Sequence, residues 1–258
     1  MARAKGPSTT KPRAPKASSK TGPATPSAPP APPAVSAGGG AAAPRSIPSP
    51  PADLNVLVKR TTWEAATTIH RIHPDGFGAA EFNPGPDGNA RFSPIVDAKG
   101  KSIATIYGGT TFECAAMETV FHDVPHEPGL KTVAKRKLKK HLHSQVAPVA
   151  DLKLADLGAR PLRKLGIKRA DLIESDKDVY PQTRKWAEAI HAQCPDVQGL
   201  CWVSRQDDTT RAVILFEDRL PARPLRSVAK SVDIVADTTT YAALVELADD
   251  IGVKITGK

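Results

Sequence analysis

SIATIYGGTTFECAAMETVFHD, residues Ser102 to Asp123, is the stretch around which the rest of the chain is organised. Residues 102–107 form a short run with several β-branched side chains, which predicts a strand. The pair Gly108-Gly109 is expected to break this run, because glycines in sequence favour a tight turn. The segment therefore begins as a strand followed by a glycine turn.

A helix is predicted to follow the turn. Thr110 stands three residues before Glu113, which is the spacing of a capping box. The helix should run from about Thr111 to His122. This arrangement places Tyr107 at the end of the strand and Glu118 in the middle of the helix.

The environment of Glu118 has two interpretations. Its helical neighbours at three and four residues are Cys114, Ala115, Phe121 and His122, so that the surrounding patch is largely apolar. A carboxylate on such a patch either lines a pocket or is an ordinary half-exposed glutamate. The spacing of the residues alone leaves both interpretations open.

The positive charge of the chain is unevenly distributed. The 258 residues carry a formal net charge of +9 from 36 basic and 27 acidic residues. Seven of the basic residues and no acidic ones lie within residues 1–51, so that 29 basic and 27 acidic residues remain beyond them. The rest of the chain is therefore nearly neutral, and its composition does not indicate nucleic-acid binding.

Residues 1–51 are predicted to be a disordered tail, with the folded domain over 52–258. The tail is rich in Pro, Ala, Ser and Lys and holds 13 of the 25 prolines. Such a segment cannot bury enough apolar surface to offset its chain entropy. We expect a solubilising linker rather than a recognition arm, and a chain beginning near Ala52 should keep both its stability and its activity.

Several classes of protein are disfavoured by the rest of the composition. Neither a secretory leader nor a run of about 18 apolar residues is evident, so no membrane helix is expected. Cys114, Cys194 and Cys201 lack the spacing of a zinc site or a disulfide framework and fit small buried residues in a reducing cytoplasm. His141 and His143 lie in a basic run that fits a solvated face better than a metal or phosphate site.

The remaining elements are short and mixed. Residues 53–59 fit a short helix or strand, residues 63–70 have helical spacing, and a helix-like basic run from 133 becomes a strand by 149. Further strands are predicted over 151–157, 199–204, 211–216, 232–236 and 253–256, and further helices over 162–173, from Tyr180 to Pro195, and over 241–251. Because strands and helices do not alternate strictly, the predicted fold class is α+β.

Residues 75–101 form a long segment without predicted secondary structure. The segment is rich in Gly, Pro, Asn and Asp and contains Arg91 beside Phe92. Long ordered loops in compact domains are usually functional. Arg91 is therefore a candidate binding residue, although a surface arginine stacked on Phe92 would have the same sequence.

Five residues, taken in their order and spacing, resemble the RES domain family, which is named for its Arg, Glu and Ser. They are Arg71, Arg91 twenty positions later, Tyr107 after the strand, Glu118 eleven positions further on, and Ser204 at the end of a Gly-x-x-x-x-Ser strand. YPQTRKWAEAI (180–190) and AVILFED (212–218) also resemble the family. The resemblance covers residues 59–220, with a looser match beyond them.

The resemblance implies a single domain with a fold like that of ADP-ribosyltransferases. RES proteins are toxins of bacterial toxin–antitoxin pairs that cleave the nicotinamide–ribose bond of NAD. The chain is therefore expected to be a cytoplasmic NAD glycohydrolase or phosphorylase with a cognate antitoxin as its partner. NAD would be the substrate, and no cofactor or metal is implied. Whether the chain forms a homodimer is left open.

The resemblance also implies a role for each matched residue. Glu118, Arg71 and Ser204 would be catalytic, and Arg91 and Tyr107 would bind substrate. Glu118 would stabilise an oxocarbenium-like transition state, with Ser204 orienting it or the ribose. The two arginines would clamp the diphosphate with forked donors, and Tyr107 would lie near the nicotinamide ribose.

Two alternatives remain open at this point. The same site could transfer ADP-ribose to a protein, as in an ADP-ribosyltransferase. The chain could also be an inactive binding module, because Ile72 stands where the family often has Tyr and ARFS (90–93) replaces a GRWN-like segment. Taken singly, Arg71 also fits a helix-end charge, Tyr107 a core aromatic and Ser204 a strand-end cap.

Overall fold

The computed structural model describes residues 46–125 and 127–257. The predicted disordered tail, up to residue 45, lies outside the described residues. The helices span Leu54–Leu57 (α1), Phe112–Thr119 (α2), Ala159–Lys164 (α3), Arg169–Leu172 (α4), Tyr180–Gln193 (α5) and Thr238–Asp250 (α6). The strands span Arg60–Trp63 (β1), Ile69–Pro74 (β2), Ile95–Val96 (β3), Ser102–Ile103 (β4), Thr105–Gly109 (β5), Lys131–Ala134 (β6), His141–Pro148 (β7), Leu152–Asp156 (β8), Gly199–Val203 (β9), Arg211–Phe216 (β10), Leu225–Ser227 (β11), Val232–Asp233 (β12) and Val253–Thr256 (β13).

A curled sheet forms the centre of the fold. In the described part of the chain it has nine strands in the order β1-β8-β9-β10-β5-β2-β7-β11, with β12 also pairing β7. Strands β8 and β9 run parallel, and the other pairs of this sheet run antiparallel. The fold class is therefore α+β, as the sequence predicts.

Strand β10 shows why the middle of the sheet is apolar on both faces. Side chains alternate across a strand, so that Ala212, Ile214 and Phe216 pack in one cluster with α5. Val213 and Leu215 pack in a second cluster on the opposite face. Both faces are covered, which explains the continuous apolar run at this position.

Helix α5 is held by a segment at the start of the described residues. The side chain of Ile47 is buried, and its backbone nitrogen donates to Gln182 Oε1 at 2.8 Å. Trp186 Nε1 donates to Pro48 O at 2.8 Å. Residues 46–51, which the sequence analysis assigns to the tail, are therefore packed on the domain.

The prediction of a helix over residues 63–70 is wrong. These residues end β1 and begin β2, whose partners are β8 and β7. Trp63 pairs with Leu152 and His70 with Gln145, so that the pairing partners lie more than 70 residues away. Tertiary pairing of β-branched residues overrides the local helical spacing here.

The expected break at Gly108-Gly109 is also wrong, because both glycines lie within β5. A Cβ on Gly108 would stand 2.8 Å from His70 O, and one on Gly109 would stand 2.7 Å from Cys114 Cβ. The glycines therefore allow β2 and α2 to approach the strand closely. They do not serve to turn the chain.

The observed bounds of α2 are shorter than predicted. Its N-cap is Thr111 rather than Thr110, and the Thr111 hydroxyl accepts from the Cys114 backbone nitrogen at 3.0 Å. The helix ends at Thr119, which leaves His122 on the turn that follows. That turn becomes part of the site described below.

The basic run from 133 contains less helix than predicted. It consists of the end of β6, a single helical turn over Lys135–Lys137, and β7. His143 on β7 is buried and stacks on His70, so it does not lie on the solvated face expected for it. No helix in the described residues is long and apolar enough to cross a membrane.

Candidate active site

A cavity of about 390 Å³ lies where β2, β5 and α2 meet the 75–101 segment. This volume lies within the range of small-molecule sites. Strands β2 and β5 supply Arg71 and Tyr107, α2 supplies Glu118, and the long segment supplies Arg91. Its other polar and aromatic lining residues are His73, Phe77, Asn83, Asn89, Ser93, Thr105, Thr119, His122, Asp123, Lys177, Tyr180 and Trp202.

The Glu118 carboxylate is held from the end of β9. The buried Ser204 hydroxyl donates to Glu118 Oε1 at 2.8 Å. Ser204 Oγ in turn accepts from the Gln206 backbone nitrogen at 3.1 Å, which directs the hydroxyl proton toward the carboxylate. Glu118 is half-buried and lines the cavity, so the pocket interpretation of its apolar neighbours is the one the structure supports.

Arg91 is a buried cation whose side-chain hydrogen-bond partners are neutral groups. Its Nη1 donates to Ser175 O at 3.0 Å and to Ser175 Oγ at 2.9 Å, and its Nη2 donates to Tyr180 OH at 3.3 Å. The guanidinium carbon lies 5.0 Å from the centre of the Tyr180 ring. Burial lowers the pKa of Arg91, although an arginine at neutral pH remains charged.

Arg71 fastens the long segment to the sheet. Its Nη1 lies 2.6 Å from Ala79 O, 3.2 Å from Gly78 O and 3.3 Å from Glu81 O. Arg71 Nε is buried without a hydrogen-bond partner in the described residues. Burial lowers the pKa of Arg71 to about 10, so its charge persists at neutral pH.

Tyr107 supports the backbone beside Arg91. Its phenol oxygen accepts from the Phe92 backbone nitrogen at 3.0 Å, and its ring packs edge-on to Trp202. Burial raises the pKa of the Tyr107 hydroxyl, which therefore stays protonated. The residue both lines the cavity and fixes the segment that carries Arg91.

The structure brings the five residues singled out in the sequence to one place. Arg71, Arg91, Tyr107 and Glu118 line the cavity, and Ser204 reaches it through its hydrogen bond to Glu118. Sequence reasoning did not identify Tyr180 and His122 as site residues. Tyr180 begins the YPQTRKW stretch, and His122 lies near the end of the 102–123 stretch. Nothing in the spacing of these two residues indicates that they are in contact.

The two arginines of the cavity favour a ligand with an anionic group, which would bind near the Glu118 carboxylate. No ion pair within 4.0 Å joins Arg71 or Arg91 to an Asp or Glu of the described residues. Two buried cations without such partners attract an anion strongly, because burial removes the water that would otherwise solvate them. In the same part of the chain, no group of three or more His, Cys, Asp or Glu could hold a metal ion.

Comparison with known proteins supports the family resemblance. The RES domain family model matches residues 68–237, about two thirds of the chain. A chain in the crystal structure of the M. tuberculosis MbcT–MbcA toxin–antitoxin complex has a similar fold. Its TM-score is 0.51 at 16% identity, over 73% of this chain and 92% of that one. No curated protein matched the sequence. The protein therefore belongs to the RES domain family.

Proposed function

We propose that this protein cleaves the nicotinamide–ribose bond of NAD, as a glycohydrolase or phosphorylase. The observation that carries the proposal is the juxtaposition of Glu118, held by Ser204, with two buried arginines that have no ion pair to a carboxylate of the described residues. NAD presents both features that such a cavity would recognise, a diphosphate and a carbon that develops positive charge. The family membership supports the same reaction class.

Glu118 would act on the developing charge. The nicotinamide of NAD is already a cationic leaving group, so its departure needs no strong general acid. The transition state has oxocarbenium character, and a nearby carboxylate stabilises it electrostatically. Because Ser204 occupies Oε1, the second carboxylate oxygen is the one we assign to the ribose hydroxyls or to the attacking water or phosphate.

Arg91 would be the main diphosphate ligand. Ser175 and Tyr180 fix the plane of its guanidinium, and a fixed plane suits bidentate binding of phosphate oxygens. Arg71 would contribute its charge and hold the long segment in place, because its Nη1 is committed to backbone carbonyls. Tyr107 would contact the nicotinamide ribose from the floor of β5.

The biological role we propose is that of the toxin in a toxin–antitoxin pair. The RES family and a fold shared with a chain from a toxin–antitoxin complex support this role. Expression of the chain alone should arrest growth, and co-expression of a small neighbouring reading frame should relieve the arrest. A protein that consumes NAD in vitro but leaves growth unaffected would contradict the toxin role.

Product analysis tests the reaction directly. The full chain is incubated with NAD, with and without inorganic phosphate, and the products are separated by chromatography. Free nicotinamide with ADP-ribose indicates hydrolysis, and phosphorylated ADP-ribose indicates phosphorolysis. Protein carrying ADP-ribose would indicate a transferase instead, and unchanged NAD would indicate a binding module. A chelator should leave the rate unchanged, because we propose no metal. Glu118→Gln provides the matched inactive control.

A further inference from the structure

A chain of polar contacts runs from the protein surface to Arg91. Lys177 Nζ lies 2.6 Å from Asp123 Oδ2, and Asp123 Oδ1 lies 2.8 Å from His122 Nδ1. His122 Nε2 lies 2.9 Å from Tyr180 OH, which receives the hydrogen bond from Arg91 Nη2 at 3.3 Å. All five residues line the cavity, and of these the roles proposed above use only Arg91 and Tyr180, which fixes the plane of the Arg91 guanidinium.

The partners determine the direction of each hydrogen bond. A carboxylate accepts only, so His122 places its proton on Nδ1 toward Asp123 and leaves Nε2 as an acceptor. Tyr180 then donates its hydroxyl proton to Nε2, and its oxygen accepts from Arg91. Burial raises the pKa of Tyr180, which favours the protonated hydroxyl that this arrangement requires. Bonds arranged in series polarise one another, so Asp123 strengthens the contact at Arg91.

Tyr180 holds Arg91 in two ways at once. The phenol oxygen fixes Nη2, and the ring lies under the guanidinium. The His122 ring packs edge-on to the Tyr180 ring, with centroids 6.2 Å apart. The turn after α2 therefore sets the position of Tyr180, and Tyr180 sets that of Arg91.

We propose that Asp123, His122 and Tyr180 are positioning residues that orient Arg91 toward the diphosphate of NAD. This inference rests on the function proposed above, in that Arg91 is assigned to the diphosphate. The three residues touch Arg91 or one another, and none of them is assigned to the reacting bond. Their loss should therefore change KM for NAD more than kcat.

Two substitutions of His122 separate positioning from general support of the fold. In His122→Gln the side-chain amide lies near the original Nε2 position and can still accept from Tyr180. In His122→Asn it lies near Nδ1, contacts Asp123 and leaves Tyr180 without its acceptor. We expect His122→Asn and Tyr180→Phe each to raise KM for NAD about tenfold, with kcat within about threefold. His122→Gln loses the contact with Asp123 but keeps the acceptor for Tyr180, so its KM should rise by no more than about threefold, with kcat within about threefold of wild type.

The matched controls lie outside the cavity. His191 is buried and bonds Asp218 at 2.9 Å, and Tyr241 stacks under Lys135 at 4.4 Å. His191→Asn and Tyr241→Phe remove comparable groups and should leave KM unchanged. The double variant His122→Asn/Tyr180→Phe should have the KM of either single variant, because both break the same chain. Equal effects of His122→Gln and His122→Asn, or a wild-type KM in Tyr180→Phe, would overturn the proposal.

Binding of inorganic pyrophosphate, measured by calorimetry, separates this proposal from the proposed reaction. Tyr180→Phe should weaken pyrophosphate binding about tenfold relative to wild type and to Tyr241→Phe. If the wild type leaves NAD intact but shows this difference, the reaction is wrong and the positioning role stands. Absence of pyrophosphate binding by the wild-type chain, or an unchanged affinity in Tyr180→Phe, would refute the positioning role itself.

Discussion

Ser204 and Glu118, 86 residues apart in sequence, are joined by a hydrogen bond of 2.8 Å from the serine hydroxyl to the carboxylate. The serine is fully buried at the end of β9, whereas the glutamate faces the cavity from α2. The bond fixes one carboxylate oxygen, and the function we propose uses the other. This arrangement leads to the first two predictions.

Glu118→Gln preserves the size of the side chain and removes its charge. We expect kcat for NAD cleavage to fall by about 10²–10³-fold, because the lost interaction acts mainly in the transition state. The melting temperature should change little, since the amide can still accept from Ser204. Glu113→Gln, on the exposed face of the same helix, is the control. Wild-type turnover in Glu118→Gln would remove this residue from the mechanism.

Ser204→Ala leaves Glu118 without its buried partner and the Gln206 backbone nitrogen without its acceptor. Stability should fall by about 1–3 kcal/mol, and kcat should fall about tenfold. Once Glu118 is already Gln, the same change should lower kcat much less, because the two residues act together. Ser144→Ala removes another buried hydroxyl, which bonds His73 and Ser231 rather than Glu118, and should leave kcat within about threefold of wild type. Additive losses in kcat would argue against a joint role.

Arg91→Lys retains the positive charge and removes the forked donor. A lysine cannot keep both the Ser175 contacts and the Tyr180 contact, so KM for NAD should rise more than kcat falls. The matched control is Arg60→Lys, which alters an arginine paired with Asp196 outside the cavity. Steady-state kinetics measure KM and kcat, and thermal melts show whether the variants remain folded. A fall in kcat at constant KM would place Arg91 in the chemical step instead.

Acid should destabilise the protein through His143. This side chain is buried against His70, with Nδ1 of His70 3.0 Å from Nε2 of His143. Burial lowers the pKa of both, that of His143 to about 4. The pKa of His143 in the folded protein lies below the unfolded value of about 6.5. The contribution of this side chain to the free energy of unfolding is therefore complete above pH 6.5 and is lost as the pH falls toward 4.

The expected loss from His143 is on the order of 3 kcal/mol between pH 7 and 4. Urea unfolding at several pH values measures it. His143→Gln should flatten the pH dependence of the unfolding free energy in this window. The same substitution at His141, two residues earlier on β7, should leave it unchanged. An equal slope in His143→Gln and wild type would contradict the assignment.

Residues 46–51 should be needed for full stability. A chain beginning at Ser46 should melt at nearly the temperature of the full chain. One beginning at Ala52 loses the buried Ile47 side chain and the Pro48 carbonyl that accepts from Trp186. Its melting temperature should fall by about 3–10 °C. Ile47→Ser in the full chain should show part of this loss. If the two shortened chains melt at the same temperature, residue 52 is the start of the folded domain, as the sequence analysis predicts.

Local sequence patterns correctly predicted the elements whose own residues fit only one secondary structure. The RAVILF strand and the helix opening at Tyr180 were predicted close to their observed bounds. The helix over 63–70 was predicted incorrectly, because apolar spacing in so short a run fits two structures. Its pairing partners, near residues 145 and 152, decide between them.

The sequence by itself determined the mixed α+β class, the family, and which residue types were available for chemistry. These properties follow from composition, periodicity and the order of a few residues along the chain. The family resemblance left Ser204 to orient either Glu118 or the ribose, and only the tertiary structure decided that Ser204 bonds Glu118 and that Tyr180 links His122 to Arg91. Such contacts join residues 58 to 89 positions apart. They depend on the order of strands in the sheet and on which loops cover it, and no local pattern encodes that order.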